Sequence, residues 1–188
     1  LSFSEGSEAF SISIVDISSE LIKTKIITYN LKGDILWANN FDNIIISQLT
    51  YSKDNSLLAI GENSVYIYKN DGSLYQETKI DGKISNAAMS DHIVAITLHN
   101  KGKQYLVCYD VNMRERSRIE IKSDPLGIFL QKSNLLLYYN NELAIITLKG
   151  ELNAMYKPNA DISCAYMTSD NKVYIASNRR LQQLEYVK

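Results

Sequence analysis

Along this chain, alternating runs of β-branched and aromatic residues are separated by polar turns, and the turns return. Tyr-Asn-Leu-Lys-Gly occupies 29–33, Tyr-Lys-Asn-Asp-Gly 68–72, Tyr-Asp-Val-Asn-Met 109–113 and Ile-Thr-Leu-Lys-Gly 146–150; their closing positions lie 39, 41 and 37 residues apart. A second register repeats independently, with a hydrophobic residue leading into a polar turn at 3–6, 51–54, 89–91, 130–133 and 167–170, the last four 38, 41 and 37 residues apart. Two different turns that drift together are the mark of a duplicated unit. Each turn joins two strand-like runs, so the unit is an antiparallel meander.

Read strand by strand, the pattern predicts five units. The first takes 1–3, 9–17, 21–30 and 35–39, with a long second hairpin loop around 18–20. The second takes 44–51, 57–60, 65–68 and 74–80, and the third 84–89, 93–99, 105–110 and 116–122. The fourth takes 126–130, 135–139, 143–148 and 152–156, and the fifth only 162–167, 173–176 and 181–187. Four-stranded meanders repeating about every 40 residues predict an all-β fold, a β-propeller of four-stranded antiparallel blades. The blade boundaries fall near 1–41, 42–81, 82–123, 124–159 and an incomplete 160–188, about 4.75 blades in a single domain or part of one. Closed rings use 4 to 8 blades, and an open arc leaves an apolar blade face in water, so the expectation is an arc of a ring of about seven. A five-bladed ring, or pairing of the open face with another chain, is the alternative.

Composition agrees with a packed β fold. The chain is 45% hydrophobic and 22% charged, with 2 Pro, and its 13 Tyr far outnumber 4 Phe and 1 Trp, which suits half-exposed strands whose phenols reach water. A net charge of −1 gives no general attraction to nucleic acid or to anionic lipid. No run of about 18 apolar residues occurs, so no membrane insertion by this segment is expected. The chain opens on Leu1 without a signal-like stretch, which reads as a processed terminus or a piece of a longer protein.

The repeat accounts for most residues that would otherwise attract a chemical role. Gly33, Gly72 and Gly150 close polar tetrads where positive φ is required. Asp54, Asp91 and Asp170 fall in the repeated first hairpin, where a short carboxylate bonds its own backbone. His92 sits in a predicted turn and His99 at a strand end, neither with a carboxylate or Cys at metal-ligand spacing. Cys108 and Cys164 lie two blades apart, too far for a bridge, and read as small buried hydrophobes. Asn70-Asp71-Gly72 lacks the later ligands of a calcium loop and reads as a hairpin turn. Alternation along the strand puts Arg114, Arg116 and Arg118 on one side and Glu115 on the other, the charged edge of an outer strand. No phosphate loop or nucleophile elbow is present. No catalytic, cofactor-binding or metal residue is therefore assigned.

Leu31-Lys32-Gly33-Asp34-Ile35-Leu36-Trp37 resembles the Gly-x-x-x-Trp segment of quinoprotein-type propeller repeats, and 51–59 is similar to the strand-turn-strand of WD40-like propellers. The Trp occurs in one unit; Gln76 and Ala154 stand at the matching places in others. Quinoprotein enzymes commonly carry adjacent cysteines beside a quinone and calcium, and this chain has no adjacent pair. The resemblance thus implies the non-enzymatic branch, which includes outer-membrane assembly scaffolds and other envelope proteins. Heavy use of Asn, Ile, Lys and Tyr resembles an AT-rich bacterial genome. The expected function is a protein-binding scaffold, extracytoplasmic in the cell envelope, with self-association through exposed blade edges as a further partner mode. The alternative is a ligand-binding or quinoprotein-like catalytic propeller whose site lies partly in blades outside these residues. If a site exists, propeller geometry places it on the face gathering 39–43, 81–83, 122–124 and 157–161 with Glu62, Asn63, 100–103, 140–142 and 178–180. Mixed signs and few aromatics suit a protein interface there better than a sugar or cofactor pocket.

Overall fold

A computed structural model describes residues 1–4, 8–18, 20–52, 54–90, 92–168, 170, 172–178 and 180–186. The expected turn residues Glu5, Gly6, Lys53, Asp91 and Ser169, the loop residues Ser19 and Arg179, and Val187 lie outside them. Among the described residues there is no helix. The first blade is β1 (Ser2–Phe3), β2 (Ala9–Asp16), β3 (Lys23–Asn30) and β4 (Ile35–Asp42); the second is β5 (Gln48–Tyr51), β6 (Leu57–Ile60), β7 (Ser64–Tyr68) and β8 (Leu74–Lys79). The third is β9 (Lys83–Met89), β10 (Ile93–Asn100), β11 (Lys103–Asp110) and β12 (Glu115–Ile121); the fourth is β13 (Gly127–Gln131), β14 (Asn134–Tyr138), β15 (Leu143–Thr147) and β16 (Leu152–Tyr156). The fifth holds three strands, β17 (Cys164–Met167), β18 (Lys172–Ser177) and β19 (Arg180–Glu185). Every sheet is an antiparallel meander in chain order, as the turn spacing predicts.

Why the middle strands read as unbroken apolar runs is visible in their burial. β6 and β7 bury every residue, β14 all but its last and β10 its central five, because each sheet is covered on both faces. Leu57, Ala59, Tyr66 and Tyr68 face the first blade, packing on Ile26 and Phe41. Leu58, Ile60, Val65 and Ile67, one residue out of phase, face Val94, Ile96 and Val107 of the third. The third and fourth blades meet through Ala95, Leu106, Leu135 and Leu137, and the fourth and fifth through Leu136, Ile145, Val173 and Ile175. The core is therefore four slabs between sheets, each assembled from alternate residues of two neighbours. One slab has a polar insert: Ser11 and Thr28 are buried, and their hydroxyls are 2.5 Å apart, with Ser11 Oγ also 2.5 Å from the Tyr51 hydroxyl across the interface.

The returning turn has one geometry in all four complete blades. The N–H of Gly33, Gly72, Met113 and Gly150 donates to the carbonyl three residues back, at 2.9–3.1 Å, and each closing residue has positive φ, 89°, 80°, 57° and 88°. In three of the turns the first residue also caps it: Asn30 Oδ1, Asp110 Oδ1 and Thr147 Oγ1 each accept two backbone N–H groups. Directly after each turn the outer strand carries one extra residue, so that Leu36, Tyr75, Arg116 and Asn153 are skipped in the pairing. The bulge rephases the strand and places Trp37, Gln76, Ser117 and Ala154 at one common position, opposite Thr28, Ile67, Cys108 and Ile145.

That rephasing corrects the expected arrangement of the arginines. Arg116 is the extra residue, so Glu115 and Arg118 fall on one face and pair at 2.7 Å, while Arg116 turns back to Asp110, also at 2.7 Å. Strict alternation fails because the bulge consumes one residue of it.

Met113 sets two effects against each other. Its φ of 57° is a conformation that favours Gly, yet its side chain is buried among Ile80, Ile84 and Val107 in the slab between the second and third blades. Loss of a buried Met costs about 2–5 kcal/mol, whereas relief of left-handed strain returns only about 1–2 kcal/mol. Packing wins, and Met113→Gly is expected to lower unfolding stability by about 1–3 kcal/mol, read from a urea titration followed by fluorescence of the single Trp37; a more stable variant would reverse the ranking of the two effects.

Candidate functional site

The loop face singled out by the sequence is built by backbone bonds between the linkers that join blades and the middle hairpins. Ile80 N–H donates to Asn63 O and Ile84 N–H to Glu62 O, both at 2.8 Å, so the hairpin of the second blade is clasped by the linker that follows it. Asn43 N–H to Ile22 O at 2.7 Å and Ile162 N–H to Asn140 O at 2.5 Å repeat the clasp in the first and fourth blades. Several charges on this face pair with each other. Lys83 pairs with Glu62 at 3.4 Å and Lys157 with Glu142 at 3.1 Å, and Asn100 Nδ2 donates to both the carbonyl and the carboxylate of Asp81. These exposed pairs contribute little to stability, about 0–1 kcal/mol each, but they leave the face without a field of one sign. A shallow groove of about 510 Å³ runs across it beside Asn43, Ile44, Glu62, Asn63 and Lys83.

A larger cleft, about 710 Å³, lies at the opposite mouth of the central channel, between inner strands β5, β9 and β13. Its wall is stitched by side-chain amides. Gln48 Nε2 donates to Ala87 O at 2.5 Å while Ala87 N–H donates to Gln48 Oε1 at 3.0 Å; farther along the same strand, outside the cleft, Asn86 Nδ2 donates to Pro125 O at 3.0 Å. Tyr51, His92, Phe129 and Lys132 line the cleft, with Met89 and Leu130 beneath. The sequence reading looked to the loop face and missed this cleft. The available signal was the large residue that ends each inner strand, Tyr51, Met89 and Leu130, at one register.

The remaining candidates separate across the fold. His92 lines the channel cleft, whereas His99 lies in β10 between Lys83 and Gln104 in the sheet. Cys108 and Cys164 are both free. Cys108 is buried as expected, and burial pushes its thiol pKa up, partly opposed by a hydrogen bond with Ser117. Cys164 is exposed, contrary to expectation: it shares a face of the fifth sheet with Ala176 and Leu181, the face turned away from the fourth blade. Among the described residues no three His, Cys, Asp or Glu side chains converge as metal ligands. Cys108 and Cys164 lie in separate blades, so the described residues hold no adjacent pair of cysteines of the kind quinoprotein enzymes carry beside a quinone and calcium.

Where carboxylates are shifted, they are shifted down. Two bonds from Ser73 to Asp71 Oδ1, at 2.9 and 2.6 Å, hold that carboxyl low and confirm Asn70-Asp71-Gly72 as a turn. Desolvation would raise Asp54, but Ser52 and Ser56 hydrogen bonds overcome it. Asp170 is lowered to about 2 by Lys172, whose Nζ is 2.5 Å away, and by the Thr168 hydroxyl. Tyr68 is pushed up to about 12 by burial, with Tyr66 and Glu77 adding to the effect. Low carboxylates and buried neutral phenols belong to turns and slabs, whereas a general acid needs a carboxyl raised toward working pH.

Two classes of neighbour frame these observations. The four-stranded antiparallel blades define a β-propeller, and solved propellers share the fold across nearly the whole chain. Sqt1 of Saccharomyces cerevisiae matches at 12% identity and TM-score 0.67, over 95% of this chain and 59% of its own. The WD40 domain of Neurospora crassa Pan2 matches at 10% and 0.63, over 100% and 64%. BBS1N, solved in complex with ARL6DN, matches at 10% and 0.69, over 95% and 65%. The chain thus spans about two thirds or less of each of these structures. No curated protein matches its sequence. Residues 1–185 match the family described as "Family of unknown function (DUF5711)", and the chain belongs to that family.

The turn chemistry predicts a pH response. Since the folded Asp170 carboxyl lies below its ordinary 3.8, the Lys172 and Thr168 contacts stabilise the folded hairpin above that value and are lost as pH falls toward 2. A carbon-detected NMR titration is expected to place the Asp170 midpoint near 2, and Lys172→Met to move it up. An ordinary midpoint in the unsubstituted protein would remove the assigned pairing.

Proposed function

We propose that this chain is a non-catalytic propeller scaffold of the bacterial cell envelope, binding a protein partner through its polar loop face. The observation that carries the proposal is the construction of that face. Backbone clasps hold the hairpins in place, and Lys83–Glu62 and Lys157–Glu142 are paired within it. A rigid, sign-balanced surface recognises shape and hydrogen-bond pattern, as a polar protein interface does. BBS1N, which shares the fold, was solved with a protein partner, which supports the same use of the architecture here. The envelope assignment draws on the AT-rich character of the composition and on the resemblance to non-enzymatic envelope propellers. No helix among the described residues is long and apolar enough to cross a membrane.

The channel cleft favours one other reading, a small ligand bound between β5, β9 and β13, with the rest of its site in further blades. Site-specific photo-crosslinkers in the living source cell separate the two. Probes at Asn63 and Asn140, on the loop face, are expected to capture a discrete protein in the envelope fraction, whereas probes at Gln131 and His92, at the cleft, capture none. Adducts confined to the cleft probes, or a protein recovered only from cytosol, would overturn the scaffold reading.

A further inference from the structure

The hairpin joining β2 to β3 differs from its counterparts on the loop face. In the second, third and fourth blades the connections are Gly61-Glu62-Asn63, Lys101-Gly102 and Tyr139-Asn140-Asn141-Glu142, whose exposed side chains are all polar. In the first blade the connection between Asp16 and Lys23 carries Ile17, Leu21 and Ile22. Ile17 is 77% exposed and Leu21 51%, and Val15 at the end of β2 and Ile45 in the following linker are exposed as well. Turn chemistry asks for none of these side chains. Scattered singly they would need no explanation, but gathered at one loop they mark a contact surface.

Polar bonds hold this apolar group in place. Ser18 N–H and Ser18 Oγ both donate to Asp16 Oδ1, at 2.8 and 2.6 Å, so Ile17 sits inside a fixed turn. Thr24 Oγ1 donates to Ile44 O at 2.5 Å and Ser13 Oγ to Ile46 O at 2.9 Å, which ties the hairpin to the linker on either side of Ile45. Val15 lies two residues after Ser13 and opposite Thr24, so it shares their side of the hairpin. Ile22, Ile44 and Ile45 line the loop-face groove of about 510 Å³, together with Glu62, Asn63 and Lys83.

Backbone, charge and area then select the occupant. An added strand needs main-chain groups to pair with, and around this groove they are engaged. Asn43 N–H donates to Ile22 O, Ser47 N–H to Ile60 O, Gly61 N–H to Ser64 O and Ile84 N–H to Glu62 O, while Ile44 O and Ile46 O accept hydroxyls. An occupant must bring a backbone already satisfied, as a helix does and an extended peptide does not. Charge argues against a lipid surface: Asp16, Glu20, Asp42 and Glu62 surround the group against Lys23 and Lys83, and 13–25 and 42–47 contain no Arg and no aromatic anchor. Area argues against a second copy, because four side chains meeting their own kind fall far short of the about 800 Å² that each partner buries in a stable complex.

We propose that an amphipathic helix of a partner protein seats in this groove, its apolar stripe on Val15, Ile17, Leu21 and Ile45 and its flanking Lys or Arg side chains beside Asp16, Glu20 and Asp42. The inference rests on the scaffold reading and names the partner's chemistry at that face. The hairpin is the apolar centre of the contact, and the polar loops are its rim.

Photo-crosslinkers at Ile17 and Ile45 of the full-length protein in the source cell, with the attached residues mapped by mass spectrometry, test it. Adducts are expected on one segment of one protein, at positions three or four residues apart. A synthetic peptide of that segment is expected to gain helical circular dichroism on mixing with the purified full-length protein. Ile17→Asp and Ile45→Asp should each weaken its binding at least about tenfold. Leu152→Asp, at an exposed leucine on the outer strand of the fourth blade, should leave binding unchanged, and all three variants should melt with the unsubstituted protein. Adducts to lipid, to a second copy or at every second residue of a partner would each refute the proposal, as would peptide binding indifferent to both Asp variants. If any of these occurs while Asn63 and Asn140 probes still capture an envelope protein, the scaffold reading stands and the helix alone is lost. Capture of no protein by any loop-face probe would remove both.

Discussion

The structure depends on sheets that are apolar on both faces. A strand such as β6, with all four residues buried, has no solvent side, so the second blade is built to lie between two others. This constraint explains why the middle strands are unbroken apolar runs while the outer ones alternate. It also explains why the described core divides into slabs between sheets, with no single central cluster.

Within that constraint the outer edge of each blade is controlled by one local device, a turn closed by a left-handed residue and followed by a one-residue bulge. The turn reverses the chain, and the bulge re-aims the outer strand so that a chosen side chain reaches the next blade. Trp37 over Gly72, Ser117 bonding Leu148 O at 2.6 Å and Ile119 against Gly150 are different chemical solutions delivered by the same backbone. Side-chain identity at this contact can therefore vary from blade to blade while the angle between blades is kept.

Much of this was legible in the sequence. The turn glycines, Asp54 and Asp170 in their hairpins, and strands such as β6 and β16 follow from spacing and turn chemistry, because those effects are local. The bulge was not legible, since Leu36, Tyr75, Arg116 and Asn153 share no residue type and the extra position is a consequence of turn geometry. The arginine arrangement at 114–118 was misread for that reason. Cys164 was misread because its burial depends on what stands beside the fifth sheet, which no local pattern encodes. For the candidate site, the sequence singled out the loop face, whose linkers and middle hairpins are indeed clasped together, but gave no view of the channel cleft, whose walls come from strands about 40 residues apart.

Among the described residues, the side-chain amide of Gln48 bonds to main-chain atoms of Ala87 alone. A seam fastened in that way is indifferent to which residue the neighbouring repeat carries at the fastening point. Duplicated units joined so can accumulate substitutions along the lumen without losing alignment, which leaves the inner wall free to be remodelled while the frame persists.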